Sequence, residues 1–246
     1  MLIPSLGTTS RIWDATANEL ERANPGIRVI RHDLPGHGRG PTATEPFSIA
    51  DIAATVIARV SASSPDGPVM VAGVSMGGAV ALEVARSRPE WLTSFAMFSS
   101  AASFGTPAAW RALIDRVTDS GTVSLSADSA AGWFTPGFRL RDSGDVVRYL
   151  DDLAETDDRS YVLCCEALAA YDASDALQEV CVPALVVAGS DDSGPTPATM
   201  RALADSLPCS RYEELAPAAH LGVVEHPRRA AGLLLERFAA SSDSGC

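Results

Sequence analysis

The pentapeptide Gly73-Val74-Ser75-Met76-Gly77 follows an apolar run and precedes a stretch of good helix formers at residues 79–86. A G-x-S-x-G pattern in this setting predicts a strand, a sharp turn and a helix, with Ser75 at the tip of the turn. Glycines at 73, 77 and 78 allow the strand end and the helix start to approach closely. Although the pattern also occurs in ordinary turns, this context favours a nucleophilic serine at a helix N-terminus, where negative charge is stabilised.

The length and the net charge of the chain limit the number of domains and the kinds of partner that it can bind. Its 246 residues fit one domain, or one domain carrying an insertion. The formal net charge of −12 argues against nucleic acid or an anionic membrane as a partner, because like charges repel. No apolar run approaches the ~18 residues of a membrane span. We therefore expect a small-molecule substrate as the partner, with no nucleic acid and no membrane, and the oligomeric state stays open.

The cysteines and the first residues of the chain indicate the cellular compartment. The five cysteines stand at positions 164, 165, 181, 209 and 246, an odd number without a C-x-x-C pair. This pattern predicts thiols in a reducing compartment rather than a disulfide framework or a zinc site. Residues 1–5 hold neither a basic region nor a long apolar core, so no signal peptide is expected. Together these features predict a cytoplasmic protein.

Strand-like and helix-like segments alternate over most of the chain. Strands are predicted at residues 1–5, 27–33, 68–74, 95–98, 183–189 and 211–215, and helices at 12–22, 49–60, 79–88 and 198–207 and after His226-Pro227. Ser48 with Asp51 is a capping signal for the second helix. This alternation predicts a doubly wound, mostly parallel sheet flanked by helices. Ligands bind such sheets beyond the carboxyl ends of the strands, where Ser75 is placed.

The alternation stops between about residues 102 and 179, where the apolar spacing is helical and no strand is indicated. We interpret this part as a helical lid inserted between two strands, which divides the chain into core residues 1–101, lid residues 102–179 and core residues 180–246. The alternative is a helical decoration without access to Ser75. The aromatic stretch Trp133-Phe134-Thr135-Pro136 belongs to the lid, and it either lines a pocket or only packs the lid's own helices.

A serine hydroxyl needs a base that takes its proton, and four histidines are available. His32 falls in a predicted strand and His226 at a helix start. His37 lies in a glycine-rich loop and stays possible. His220 follows the last strand, at the sheet end where Ser75 emerges, and is therefore the predicted base.

The base needs a carboxylate partner, and the developing oxyanion needs N–H donors. Asp191 and Asp192 directly follow the strand before His220, which gives the chain order Ser, Asp, His expected for this topology. One of the two would orient the base, while the other could cap the next helix. The predicted oxyanion donors are the backbone N–H groups of Met76 and Leu6.

Together these motifs resemble the α/β-hydrolase fold superfamily. The elbow at 73–78, the loop Asp-Leu-Pro-Gly-His-Gly-Arg at 33–39, Gly-Ser-Asp-Asp at 189–192 and Ala-His-Leu at 219–221 carry the resemblance. Within it the chain is similar to 3-oxoadipate enol-lactonases, through Ser5-Leu6-Gly7-Thr8-Thr9 with Trp13-Asp14, residues 133–136, Tyr161 with Cys164-Cys165 and Ala167, His220-Leu221 and Glu225-His226-Pro227.

This resemblance implies a serine hydrolase that cleaves a small carboxylated enol-lactone through an acyl-enzyme, without a metal or an organic cofactor. It implies that Trp133 lines the substrate pocket, and it points to Asp192 rather than Asp191. The chain departs from the family in lacking an N-terminal β-hairpin and in a longer turn after Asp192, which keeps Asp191 open. Arg39, Arg139 and Arg141 are candidates for binding the substrate carboxylate, with a solvated surface role as the alternative.

Three other functions are alternatives for a chain with these motifs. A carboxylesterase or perhydrolase would use the same three side chains, and would prefer simple aryl esters over enol-lactones. A hydrolase-fold receptor would bind a lactone without multiple turnover. A haloalkane dehalogenase is disfavoured, because its nucleophile is an aspartate and Ser75 occupies that place.

Overall fold

The computed structural model describes residues 1–63 and 67–241. Within these residues, the strands form one parallel sheet whose spatial order follows the chain. They are β1 (Leu2–Ile3), β2 (Val69–Val74), β3 (Leu92–Phe98), β4 (Ala184–Gly189) and β5 (Ser210–Leu215). Because all are parallel, the ends of β2, β4 and β5 lie at one edge of the sheet. This edge is where the predicted site residues follow.

The strand predicted at residues 27–33 is wrong as a regular strand. This segment meets the sheet only at a bridge between Leu2 and Arg31, supported by hydrogen bonds from Leu2 N to Ile30 O and from His32 N to Leu2 O. Its neighbour β1 spans two residues, and Pro4 after it has no N–H to donate. A seven-residue segment therefore finds a partner along only part of its length.

The helices cover both faces of the sheet and their bounds agree closely with the sequence pattern. In the core these are α1 (Asp14–Ala23), α2 (Ile49–Ala62), α3 (Met76–Ser87), α9 (Pro197–Asp205), α10 (Gly222–Glu225) and α11 (Pro227–Ser241). Helices α2, α3 and α9 bury side chains such as Val56 and Leu82 on one face, while α1 and α11 bury Leu20 and Leu233 on the other. The predicted capping box at Ser48 and Asp51 is present.

Between β3 and β4 the chain is helical, as predicted. The insertion holds α4 (Pro107–Ser120), α5 (Ser126–Trp133), α6 (Pro136–Arg141), α7 (Ser143–Ala154) and α8 (Asp158–Ala169), with short 3-10 helices at Thr122–Leu125 and Ser174–Glu179. Its two ends meet, since Ala173 N donates to Ala102 O at 2.9 Å and Ser103 pairs with Asp172. The boundaries 101/102 and 179/180 stay a prediction.

The prediction of thiols at every cysteine holds only in part. Cys164 and Cys165 are buried thiols on α8, and burial raises the pKa of both. Cys181 is an exposed thiol, whereas Cys209 is disulfide-bonded, which corrects the prediction at that position. Cys246 lies outside the described residues. Within the described part of the chain, no helix combines the length and apolar character needed to cross a membrane.

Candidate active site

Ser75 occupies the strained turn between β2 and α3. Its backbone dihedrals are φ 54° and ψ −117°, a region that a residue with a side chain rarely adopts. The turn is held from outside, because Ser75 N donates to Phe98 O at 2.8 Å and Ser75 O accepts from Ser100 Oγ at 2.7 Å. Ser75 stays partly exposed, whereas Met76 behind it is fully buried. The local fold therefore presents the serine, as the sequence predicts.

The glycines of the motif are required by close backbone approach. A Cβ on Gly73 would lie 2.0 Å from the Gly77 carbonyl carbon, so the strand end touches the helix start. A Cβ on Gly77 would lie 2.5 Å from Ile3 O in the neighbouring strand. Real Cβ atoms do not come this close to backbone atoms, so larger residues would displace the turn and Ser75 with it.

His220 and Asp192 form a hydrogen-bonded pair at the same edge of the sheet. His220 Nδ1 lies 2.8 Å from Asp192 Oδ2, and the two side chains are 16% and 2% exposed. Burial raises the pKa of Asp192, but the His220 side chain, Gly194 N–H and the Ser99 side chain outweigh this and lower it. Asp192 therefore remains a carboxylate at neutral pH, and it can accept a hydrogen bond from the Nδ1–H group of His220.

The structure separates the two adjacent aspartates. Asp191 is exposed, and its carboxylate accepts a hydrogen bond from Ser190 Oγ at 2.8 Å instead of reaching His220. Asp192 is 6% exposed and also accepts from Gly194 N at 2.9 Å. The Gly194 N–H therefore helps to hold the Asp192 carboxylate within reach of His220.

The other histidines have different surroundings. His37 is fully buried, and its ring nitrogens lie 2.9 Å from Gly7 N and 2.8 Å from Pro35 O. With both nitrogens engaged, His37 is a poor alternative to His220 as the base. His226 contacts Pro217 O at 2.6 Å, at the start of α11.

The loop after β1 is a tight turn under the insertion. Thr8 N donates to Ser5 O at 3.1 Å, and Gly7 has φ +74°. A Cβ on Gly7 would lie 2.8 Å from Leu153 Cδ1 and 3.4 Å from Trp133 Cζ2. Trp133, on α5, thus lies against the loop that carries the predicted oxyanion donor Leu6, which is partly exposed.

The insertion also contacts the loop that carries His220. Leu221 N donates to Trp133 O at 2.9 Å. The Glu225 carboxylate accepts from Thr135 Oγ1 at 2.5 Å and from Ala219 N at 2.7 Å. Glu225 therefore ties the insertion to the residue before His220. These contacts place the insertion beside the edge of the sheet that carries Ser75 and His220.

Three residues near the site carry roles that the sequence analysis missed. Ser99, with φ 44°, supports Asp192, while His37 supports the loop after β1 and Glu225 supports the His220 loop. Glu225 and His37 lie within stretches that carry the family resemblance, although the sequence did not indicate these roles, and Ser99 had no sequence signal.

The arginines that are candidates for binding a substrate carboxylate have different surroundings. Arg141 forms an ion pair with Asp142 at 2.8 Å, and Arg39 is exposed. These observations are consistent with a solvated surface role for both arginines. Arg139 has a buried Nε without a hydrogen-bond partner among the described residues. In that same part of the chain, His, Cys, Asp and Glu side chains do not gather into a group of three that could hold a metal ion.

The sheet, the elbow and the carboxylate–histidine pair define an α/β hydrolase. The model of the alpha/beta hydrolase family matches residues 1–233, and the chain belongs to this family. It is 33% identical over 239 residues to 3-oxoadipate enol-lactonase 2 of Acinetobacter baylyi, covering 95% of this chain and 87% of that protein. It is 28% identical over 249 residues to a pimeloyl-[acyl-carrier protein] methyl ester esterase of Neisseria meningitidis, covering 94% and 74%.

Solved structures show the same similarity. The enol-lactonase from Burkholderia xenovorans LB400 has a TM-score of 0.89 and 26% identity, covering 97% of this chain and 90% of that one. The predicted membership of the α/β hydrolases and the resemblance to enol-lactonases are confirmed by these matches.

Proposed function

We propose that the protein is a serine hydrolase that opens a small carboxylated enol-lactone, as its similarity to 3-oxoadipate enol-lactonases suggests. The observation that carries this proposal is the 2.8 Å hydrogen bond between His220 and Asp192, at the sheet edge where the strained turn presents Ser75. The match of 33% identity over 95% of the chain supports the lactone as substrate. Trp133, held against the loop after β1, is proposed to line the pocket.

In the first half of the reaction, Ser75 Oγ attacks the lactone carbonyl while His220 Nε2 takes the hydroxyl proton. Asp192 accepts a hydrogen bond from His220 Nδ1–H, which fixes the tautomer and stabilises the imidazolium. The N–H groups of Leu6 and Met76 stabilise the oxyanion. The ring C–O bond then breaks, and the enol oxygen that leaves is a better leaving group than an alkoxide. The His220 imidazolium gives its proton to this oxygen and is neutral again, and the enol becomes a ketone when a proton moves from the oxygen to the far carbon of the C=C bond.

In the second half, water attacks the acyl ester on Ser75 while His220 takes a proton from it. Collapse of the second tetrahedral intermediate returns the proton to Ser75 Oγ and releases the acid. Each step uses only the protein's side chains, backbone N–H groups and water. The mechanism therefore requires no metal or organic cofactor.

A carboxylesterase is the second candidate, since a methyl ester esterase is 28% identical over 94% of this chain. The same triad would cleave an open-chain ester, and a perhydrolase would use it with peroxide in place of water. The lactone and ester assignments differ in the pocket rather than in the chemistry at Ser75.

Steady-state hydrolysis of 3-oxoadipate enol-lactone and of p-nitrophenyl acetate tests the proposal. We expect a large kcat/KM preference for the lactone, and Ser75→Ala and His220→Ala should each abolish turnover of both substrates without unfolding the protein. Weak lactone turnover with intact aryl-ester activity would support the esterase instead. Tight lactone binding without turnover would support a receptor, and retained activity in either variant would exclude the triad.

A further inference from the structure

The loop after β1 is shaped by a hydrogen bond that the proposed mechanism does not use. Gly7 N donates to His37 Nε2 at 2.9 Å, and His37 Nδ1 lies 2.8 Å from Pro35 O. A backbone N–H can only donate, so Nε2 must be the unprotonated nitrogen, and Nδ1 carries the proton and donates it to Pro35 O. His37 is fully buried, so water cannot take the place of either partner.

The hydrogen bond selects one conformation of the turn. Thr8 N donates to Ser5 O, Gly7 has φ +74°, and Leu6 is not among the residues with positive φ. These features define a type II turn with Leu6 and Gly7 at its two central positions. Types I and II differ by a flip of the peptide between those residues, and the acceptor at His37 Nε2 fixes the Gly7 N–H on one side. Since this peptide is planar and trans, the Leu6 carbonyl is fixed as well.

This arrangement bears on the proposed oxyanion donor. In such a turn the N–H of the first central residue, Leu6, takes no part in the turn's own hydrogen bond, while the N–H groups of Gly7 and Thr8 are engaged by His37 and Ser5. Leu6 N–H is therefore the donor that the turn can direct elsewhere. This N–H belongs to the Ser5–Leu6 peptide, so its direction depends on where the backbone of the turn holds Leu6, and the hydrogen bonds of Gly7 and Thr8 anchor that backbone.

We propose that His37 is a positioning residue for the oxyanion hole, acting as a neutral acceptor that anchors the Leu6–Gly7 peptide and thereby keeps Leu6, with its N–H, in place for the reacting carbonyl. This inference rests on the proposed function of Ser75 and Leu6. The loop is held from both sides, because His37 binds Gly7 from one direction while Leu153, Tyr161 and Trp133 pack against it from the insertion. The ring of His37 also stacks on Tyr161, with centroids 6.1 Å apart.

Two variants of similar size distinguish a role of His37 as hydrogen-bond acceptor from a role in packing alone. In His37→Gln, the amide oxygen can reach the place of Nε2 and accept from Gly7 N–H. In His37→Asn, the shorter amide reaches only the place of Nδ1, so the donor to Pro35 O is kept and the acceptor for Gly7 is lost. Both variants are uncharged, and thermal unfolding shows whether each is folded.

The primary measurement is the rate at which a fluorophosphonate labels Ser75, because phosphonylation also places a negative oxygen in the oxyanion hole and does not depend on knowing the substrate. We expect His37→Asn to lower this rate and kcat about 100-fold, at the lower end of the loss of one oxyanion donor, with KM changed less than about threefold. His37→Gln should stay within about tenfold of the wild type. Equal rates for wild type and His37→Asn, or equal impairment of two folded variants, would overturn the inference.

A spectroscopic measurement on the wild type keeps the inference testable if His37→Asn does not fold. In ¹⁵N-labelled protein we expect an unprotonated Nε2, a protonated Nδ1 and a scalar coupling between Gly7 N and His37 Nε2 across the hydrogen bond. A protonated Nε2 at neutral pH would contradict the inference. Failure of the proposed function looks different, since wild-type Ser75 would then not be labelled at all.

Discussion

At the scale of single residues, the structure makes different predictions for two neighbouring aspartates. We expect Asp192→Asn to lower kcat/KM by about 10³–10⁴, because an amide can donate to His220 Nδ1 and fix the wrong tautomer. Asp191→Asn should change kcat/KM less than about twofold, since Asp191 is exposed and contacts Ser190 instead. Hydrolysis of p-nitrophenyl acetate measures both.

These two variants control each other, because they make the same chemical change one residue apart. Their unfolding temperatures should be measured alongside the rates, so that a loss of fold is not mistaken for a loss of catalysis. A large loss in Asp191→Asn with an unaffected Asp192→Asn would assign the acid to the other aspartate.

How far the sequence predicts the site differs from residue to residue. Ser75 is predictable because glycines and a strand–helix junction surround it, and His220 because it follows the last strand. The choice between Asp191 and Asp192 depends on how the turn to Gly194 folds, which spacing alone does not determine. Ser99 carries no sequence signal, since its contact with Asp192 results from the neighbouring strands being paired.

At the scale of elements, Glu225 connects the insertion with the histidine loop, and its removal should affect both. In Glu225→Gln only one oxygen remains for the three donors of Thr135 and Ala219, so one N–H or O–H faces an amide NH₂. We expect a loss of about 1–3 kcal/mol in the free energy of unfolding, the usual cost of leaving a buried donor without an acceptor. Because Ala219 precedes His220, kcat should fall at least about tenfold.

The matched control is Glu236→Gln on α11, whose carboxylate pairs with Arg211 and Arg229 and is 48% exposed. Exposed ion pairs contribute about 0–1 kcal/mol, so this variant should unfold and react nearly as the wild type does. Denaturant unfolding and steady-state kinetics on both variants make the comparison. If Glu225→Gln behaved like Glu236→Gln, the hydrogen bonds of Glu225 between the insertion and the His220 loop would contribute nothing measurable to stability or to catalysis.

The elements themselves show what local pattern can and cannot predict. Helical spacing predicted the insertion well, because each helix buries one face within its own neighbourhood. Residues 27–33 have a strand-like composition, yet pairing depends on the neighbour that the fold supplies, here the two residues of β1 before Pro4. The placement of the insertion beside the site depends on long-range contacts such as Thr135 with Glu225, which periodicity does not contain.

At the scale of the whole molecule, buried ionisable groups set the dependence of stability on pH. Burial lowers the pKa of His37 to about 4 from its ordinary 6.5, against the nearby Asp33 and Asp157, which raise it. Between pH 6.5 and about 4 the unfolded chain takes up a proton there that the folded protein does not, so stability falls as pH falls. The lowered pKa of Asp192 acts only at lower pH, as pH falls through 3.8 and below. Burial raises the pKa of Asp152, which has the opposite effect and offsets part of the loss.

His37→Gln isolates this contribution, because the glutamine stays neutral while Asp152 and the other groups are unchanged. From pH 7.5 to 4.5, the shift of His37 corresponds to a loss of about 2.5 kcal/mol in the wild type, at 1.36 kcal/mol per pKa unit. We expect the free energy of unfolding of His37→Gln to fall by that much less over the same interval, measured by urea denaturation at each pH. The lowered pKa of His32 contributes equally to both proteins and cancels in the comparison. A parallel decline of the two proteins would mean that His37 is protonated as readily in the folded as in the unfolded chain, which its hydrogen bond with Gly7 forbids.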